Sequence, residues 1–166
     1  TDYLNSTIEI TENLEFSAGS NANFNFCSLQ FTGSSNSQLT SNSSSSSLKS
    51  ITLNKTAGAE VYINSTSTST LAINGSLTVN AGNTLISYAN ITTIFNSNIA
   101  SSGSLNFSNG TQSFEKTSGT QVLQLNQADS FYTVKVNTGG TVTLSTGAVL
   151  NIKKHLIIDA GILSPA

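Results

Sequence analysis

Arginine, methionine and tryptophan are absent from the 166 residues, and proline, cysteine and histidine occur once each. Each absence removes a class of function. A nucleic-acid binder needs a basic footprint, usually with arginine for bidentate contacts to phosphate or guanine, and this chain has six lysines and a net charge of −2. Nucleic acid is therefore set aside as a partner. A lone Cys27 can form neither an intrachain disulfide nor a cysteine-based metal site. No window approaches the roughly 20 apolar residues of a spanning helix, and the longest apolar stretch, Leu156 to Leu163, is interrupted by Asp159. No membrane-spanning helix is expected. The chain opens at Thr1 without a charged segment followed by an apolar one, which reads as a processed or excised piece.

What fills the chain is small and polar. Serine contributes 29 residues, threonine 22 and asparagine 20, while only 14 residues are charged. Such a composition raises the question of disorder. Against it, 37% of residues are apolar, and they cluster in short alternating runs. Ile8-Glu9-Ile10, Leu14-Glu15-Phe16, Leu29-Gln30-Phe31, Ile51-Thr52-Leu53, Val61-Tyr62-Ile63, Leu77-Thr78-Val79, Leu105-Asn106-Phe107 and Val134-Lys135-Val136 all read apolar, polar, apolar. A period of two places the apolar residues on one face of a strand. Asn, Gly and Ser punctuate the gaps, as turns require. No stretch shows helical periodicity.

Internal matches organise these strands. Leu71 to Gly82 aligns without a gap on Leu150 to Gly161, an offset of 79 that keeps every inward apolar position. Ile51 to Asn54 matches Val134 to Asn137 at 83, Val61 to Ile63 matches Val142 to Leu144 at 81, and Leu29 to Gly33 matches Leu105 to Asn109 at 76. Two units, about 29–85 and 105–163, thus repeat a strand order while loops vary. The pattern predicts an all-β, parallel β-solenoid of the right-handed β-helix type over 1–166, with an antiparallel β-sandwich as the alternative. Turns of about 20 to 25 residues would give about seven or eight layers, with apolar residues stacked inside. Corner asparagines are expected to stack amide on amide and to tolerate left-handed backbone.

The stretches Gly103 to Gln112, Phe131 to Leu144, Val149 to Ile152 and Leu156 to Ile158 resemble repeats of large secreted bacterial adhesins. They look like the β-solenoid regions of surface adhesins of gliding bacteria, and more loosely like autotransporter and filamentous-haemagglutinin passengers. The resemblance covers most of residues 29 to 163. It implies export to the cell surface, a rod-like solenoid, and adhesion or surface architecture without chemistry.

Candidate reactive groups are few. His155 follows Lys153 and Lys154 and precedes Asp159, the sequence of a general base with its carboxylate. By the repeat, His155 falls opposite Ser76, so an exposed corner is expected, and no Gly-x-Ser-x-Gly elbow supplies a nucleophile. Glu60 and Glu115 are isolated acids, whereas glycoside hydrolysis uses two carboxylates. Cys27 is expected to be a small buried hydrophobe. Eight Asn-x-Ser/Thr sequons, at Asn5, Asn42, Asn54, Asn64, Asn74, Asn90, Asn106 and Asn109, are nearly accounted for by composition. The run Asn64 to Thr70 reads as a polar loop, with an ice-binding hydroxyl ladder as the alternative. The sequence presents no catalytic constellation, no metal site and no cofactor motif, and it marks no binding residue.

Charge is uneven along the chain. Asp2, Glu9, Glu12 and Glu15 make the first fifteen residues acidic, whereas residues 131 to 166 carry Lys135, Lys153 and Lys154 against Asp159. A solenoid exposes unpaired backbone groups at its first and last turns, and no capping helix is visible at either end. The sequence therefore suggests a non-catalytic structural and adhesive building block of an extracellular fibre, filament or large adhesin. It would join to itself head to tail or to flanking repeats. The alternative is a carbohydrate-binding module in which Tyr62, Tyr88 or Tyr132 stacks on surface glycans.

Overall fold

The computed structural model describes residues 6–20, 22–56 and 58–165, and every element in it is a β-strand. The strands are β1 (Ser6–Ile10), β2 (Asn13–Phe16), β3 (Ala22–Phe31), β4 (Ser37–Ser41), β5 (Ser45–Leu53), β6 (Glu60–Asn64), β7 (Thr70–Ile73) and β8 (Leu77–Val79). They continue as β9 (Thr84–Ser87), β10 (Thr92–Phe95), β11 (Ile99–Ser101), β12 (Ser104–Phe107), β13 (Thr111–Phe114), β14 (Thr120–Gln124), β15 (Ser130–Leu144) and β16 (Asn151–Ser164). All pairings are parallel and belong to one 16-stranded sheet. The sheet winds as a β-solenoid of about seven turns, each pairing with the turn before and after it. At the usual strand spacing the stack is about 35 Å long.

Three faces follow from the register. On the first, Ile8, Leu29, Ile51, Leu77, Ile99, Leu123 and Leu144 lie in one column. On the second, Leu14, Leu39, Ile63, Ser87 and Phe107 lie in line. On the third, the column is Phe24, Leu48, Ile73, Phe95, Phe114, Val136 and Ile158. The longer strands β3, β5, β15 and β16 bend round a corner and serve two or three faces. One turn takes between 19 residues, from Phe95 to Phe114, and 26, from Ile51 to Leu77.

The alternating pattern works as expected: β6, β7, β10 and β12 bury every second residue, and the buried ones form a single core. At its centre Phe95, Phe107, Phe114 and Phe131 close a four-ring cluster. Phe95–Phe114 and Phe107–Phe131 stack at 5.7 and 5.4 Å, and Phe95–Phe107 and Phe114–Phe131 meet edge to face at 6.0 and 6.1 Å. Offset and edge-on rings suit the aromatic quadrupole.

The offsets near 80 seen in sequence do not return to the same face. Ile51 and Val61 stand on the first and second faces, but their matches Val134 and Val142 stand on the third and first. Leu77 on the first face likewise matches Leu156 on the third. Each of these matches advances eleven strand segments, one short of four full turns, so the repeat steps back by one face. Leu29 to Leu105 advances ten, from the first face to the second.

Corners divide their work between two residue types. Asn74 donates to Asn25 at 2.5 Å, Asn96 to Asn74 at 2.7 Å and Asn80 to Asn54 at 3.1 Å, so amide ladders form. The expected left-handed asparagines do not occur: among the described residues only glycines have positive φ. An asparagine at a corner reaches its neighbour's amide from ordinary backbone, while a Cβ in the left-handed region is costly. At Gly140 the restriction is contact rather than φ, because a Cβ there would meet the Gly119 carbonyl oxygen of the preceding turn.

Candidate functional site

The open end of the stack is the first feature that the fold sets apart. β16 pairs with β15 alone, while β1 and β2 each pair with one strand. Leu156 and Ile158 lie in register with Val134 and Val136, which are fully buried. One turn later the same inward positions are 48% and 52% exposed. The last turn thus presents core side chains and a row of backbone groups with no neighbouring strand among the described residues. At the other end Phe16 is buried and stacks on Phe24 at 5.5 Å, and Leu14 is half-buried.

Charge follows the same division. Glu9, Glu12 and Glu15 are exposed on the first turn. Lys153, Lys154 and His155 are exposed where β16 passes from the second face to the third. Lys153 donates to Asn106 Oδ1 at 2.7 Å, and the Lys154 ammonium lies 5.2 Å from the Tyr132 ring centre. Lys135 and Asp159 form an ion pair at 2.8 Å, and that hydrogen bond raises the lysine's pKa. Asp159 is thereby a partner of Lys135, and no hydrogen bond joins it to His155.

Tyr62, Tyr88 and Tyr132 share one side of the prism. Tyr62 points outward from β6 and stacks on Tyr88 at 6.5 Å, with Ile86 buried beside them outside the core. Tyr62 donates its hydroxyl to Glu60, which raises its pKa, burial adding a smaller push. Tyr88 is 57% exposed. Following the register through Ser87–Phe107 and Asn106–Ser130, Tyr132 falls in the Tyr88 column two turns on, about 10 Å away.

Other candidates are dispersed. Glu115 accepts from Ser113 at 2.6 Å at the end of β13 on the third face, whereas Glu60 opens β6 on the second. Cys27, expected in the core, is half-buried where the β3–β5 register shifts between Phe24 and Ser28. The irregularity there breaks the alternation that buries Leu29 and Phe31 further along the strand. Residues 65–69 form the expected polar loop between β6 and β7. Of the sequons, Asn54, Asn74 and Asn90 are exposed, while Asn42, Asn64, Asn106 and Asn109 are half-buried. Asn5 and Asp2 lie outside the described residues. Among those described, no three His, Cys, Asp or Glu side chains gather as a metal site would require, and no helix is long and apolar enough to cross a membrane.

Two buried charges were not singled out by sequence. Lys55 sits inside the corner between the first two faces and donates to the Thr32 carbonyl at 2.5 Å, to Ser37 Oγ at 2.9 Å and to the Thr11 carbonyl at 3.5 Å. It joins three successive turns, and burial lowers its pKa. Asn83 clasps the Lys55 backbone from the next turn. Asp129 accepts from the backbone N–H groups of Leu105 at 2.7 Å and Asn126 at 2.9 Å, and from Ser101 Oγ at 3.1 Å. Burial raises its pKa, and these hydrogen bonds oppose the rise. Both groups are saturated by corner backbone and hydroxyls, the arrangement of structural ties. The only available hint was the Asn126-Gln-Ala-Asp129 stretch, whose Asn126 side chain accepts from the Ala128 N–H as in an Asx-turn.

No protein-family model matches the chain, and no characterised protein or solved structure is significantly similar to it.

Proposed function

We propose that this chain is a non-catalytic structural and adhesive building block of an extracellular, cell-surface fibre, filament or large adhesin, assembling through its solenoid ends. The observation that supports it is the last turn, where Leu156 and Ile158 continue the core column into solvent beside an unpaired strand edge. A long apolar edge is a template for another strand, and soluble proteins normally blunt it. Here the edge lies at the end of a regular stack, so a further turn continues both the hydrogen-bond ladder and the core. Negative-stain electron microscopy with light scattering at rising concentration tests this. Unbranched fibres of uniform width are expected; compact monomers at every concentration would overturn it.

A second reading is carried by the tyrosines. Tyr88 is open to solvent, stacked on Tyr62 and aligned with Tyr132, and aromatic faces bind the apolar faces of sugar rings. Glycan-array binding lost on Tyr88→Ala would support a carbohydrate-binding surface; unchanged binding, or none in the parent chain, would remove it.

A further inference from the structure

We infer that the partner of the last turn is a second copy of this chain, docked head to tail and rotated by one face of the prism. This rests on the end-to-end assembly proposed above and adds its register. Strand segments follow one another in the order first, second, third face. The described chain starts on the first face with β1 and ends there with residues 162–164 of β16, beside Thr141 to Thr143. The next position in the spiral therefore belongs to the second face. A copy docked with like faces aligned leaves the second and third faces one strand short. Turned by one face, its β1 continues residues 151–152 and its β2 continues residues 156–158, with no gap among the described strands.

Residue spacing agrees with the rotated joint. Four positions separate Ile10 from Leu14 in the first turn, and four separate Ile152 from Leu156 in the last. With Ile10 over Ile152, Leu14 falls over Leu156 and Phe16 over Ile158, covering the exposed core. The corner residues then meet as Thr11 over Lys153 and Glu12 over Lys154, with Glu9 and Glu15 on either side. Charge complementarity thus favours this chain's own first turn as the occupant. The faces accept such a step, because the internal repeat already carries matched strands from one face to another.

Mixed disulfide cross-linking of the 166-residue chain carrying Cys27→Ser tests the register. In-register residues on adjacent strands lie about 4.8 Å apart, within disulfide range. The rotated joint pairs Glu15 with Ile157, so a Glu15→Cys chain mixed with an Ile157→Cys chain is expected to give a covalent dimer under oxidation. Aligned faces would instead seat β1 on residues 162–164 and pair Thr7 with Ser164, which lies in register with Thr143 beside the end of the Ile8 to Leu144 column, so a Thr7→Cys chain mixed with a Ser164→Cys chain reports that joint. A dimer of Thr7→Cys with Ser164→Cys, but none of Glu15→Cys with Ile157→Cys, overturns the rotation and leaves end-to-end assembly standing. No cross-link in either mixture, together with monomers by light scattering, overturns both. Lys154→Glu supplies an independent check: it is expected to abolish assembly, and addition of a Glu12→Lys chain to restore a joint between the two variants. Assembly of Lys154→Glu equal to the parent's would contradict the docking.

Discussion

Replacing Phe107 by alanine removes one member of the four-ring cluster at the centre of the stack. Its side chain is fully buried and contacts Phe95 edge to face at 6.0 Å and Phe131 in a stack at 5.4 Å. Truncating a buried phenylalanine costs about 3 to 5 kcal/mol, because transfer free energy is lost and a cavity remains. Phe107→Leu keeps most of the volume but loses both ring contacts, each worth about 0.5 to 1.5 kcal/mol. The order expected is therefore wild type, then leucine, then alanine. Each turn pairs its strands only with those of its neighbours, so a defect here also weakens the coupling between the two halves. Urea denaturation followed by far-ultraviolet circular dichroism measures the losses. Ile8→Ala, on the first turn and already 38% exposed, is the control and is expected to cost less than about 1 kcal/mol. A Phe107→Ala chain within about 1 kcal/mol of wild type would refute the packed central core.

Further outcomes follow from the corners and the buried charges. Gly140→Ala drives a methyl group into the Gly119 carbonyl and is expected to cost about 1 to 3 kcal/mol by thermal melting; no loss would show that the turns are not so closely stacked. Gly19→Ala meets no neighbour but has φ of 78°, so about 1 kcal/mol is expected from backbone strain alone. Burial lowers the Lys55 pKa, so between its folded value and the ordinary 10.5 the unfolded chain holds more protons and Lys55 makes stability rise with pH. Lys55→Met should flatten that rise in urea titrations across alkaline pH. The Asp129 pKa is raised above 3.8, so the folded chain takes up this proton first. Its contribution to stability increases as pH falls through the folded value, and Asp129→Asn should remove that component.

Much of this architecture is legible in the residues themselves. Alternation such as Val61-Tyr62-Ile63 locates a strand and its buried side, and the corner asparagines announce their ladders, because both are local properties. The phase of the winding is not local. Ile51 and Val134 share a sequence pattern, but the faces they occupy depend on the summed lengths of the intervening loops. The same limit applies to the site: Tyr88 and Tyr132 share a column only because 44 residues make two turns. Nothing near Lys55 shows that its ammonium will meet the Thr11 and Thr32 carbonyls, since those oxygens come from earlier turns. Leu156 and Ile158 read as ordinary core residues in sequence, and only their place in the final layer makes them an exposed edge.

Amide hydrogen exchange at low and high protein concentration tests that edge most directly. In dilute solution the outward-pointing amides of β16 and those on the free side of β1 and β2 are expected to exchange rapidly, while the central turns stay protected. At concentrations that give fibres, those end amides should become protected together, with no change in the central strands. Exchange at β16 that stays equally fast in both states, or protection gained on the outward faces instead, would contradict assembly through the solenoid ends.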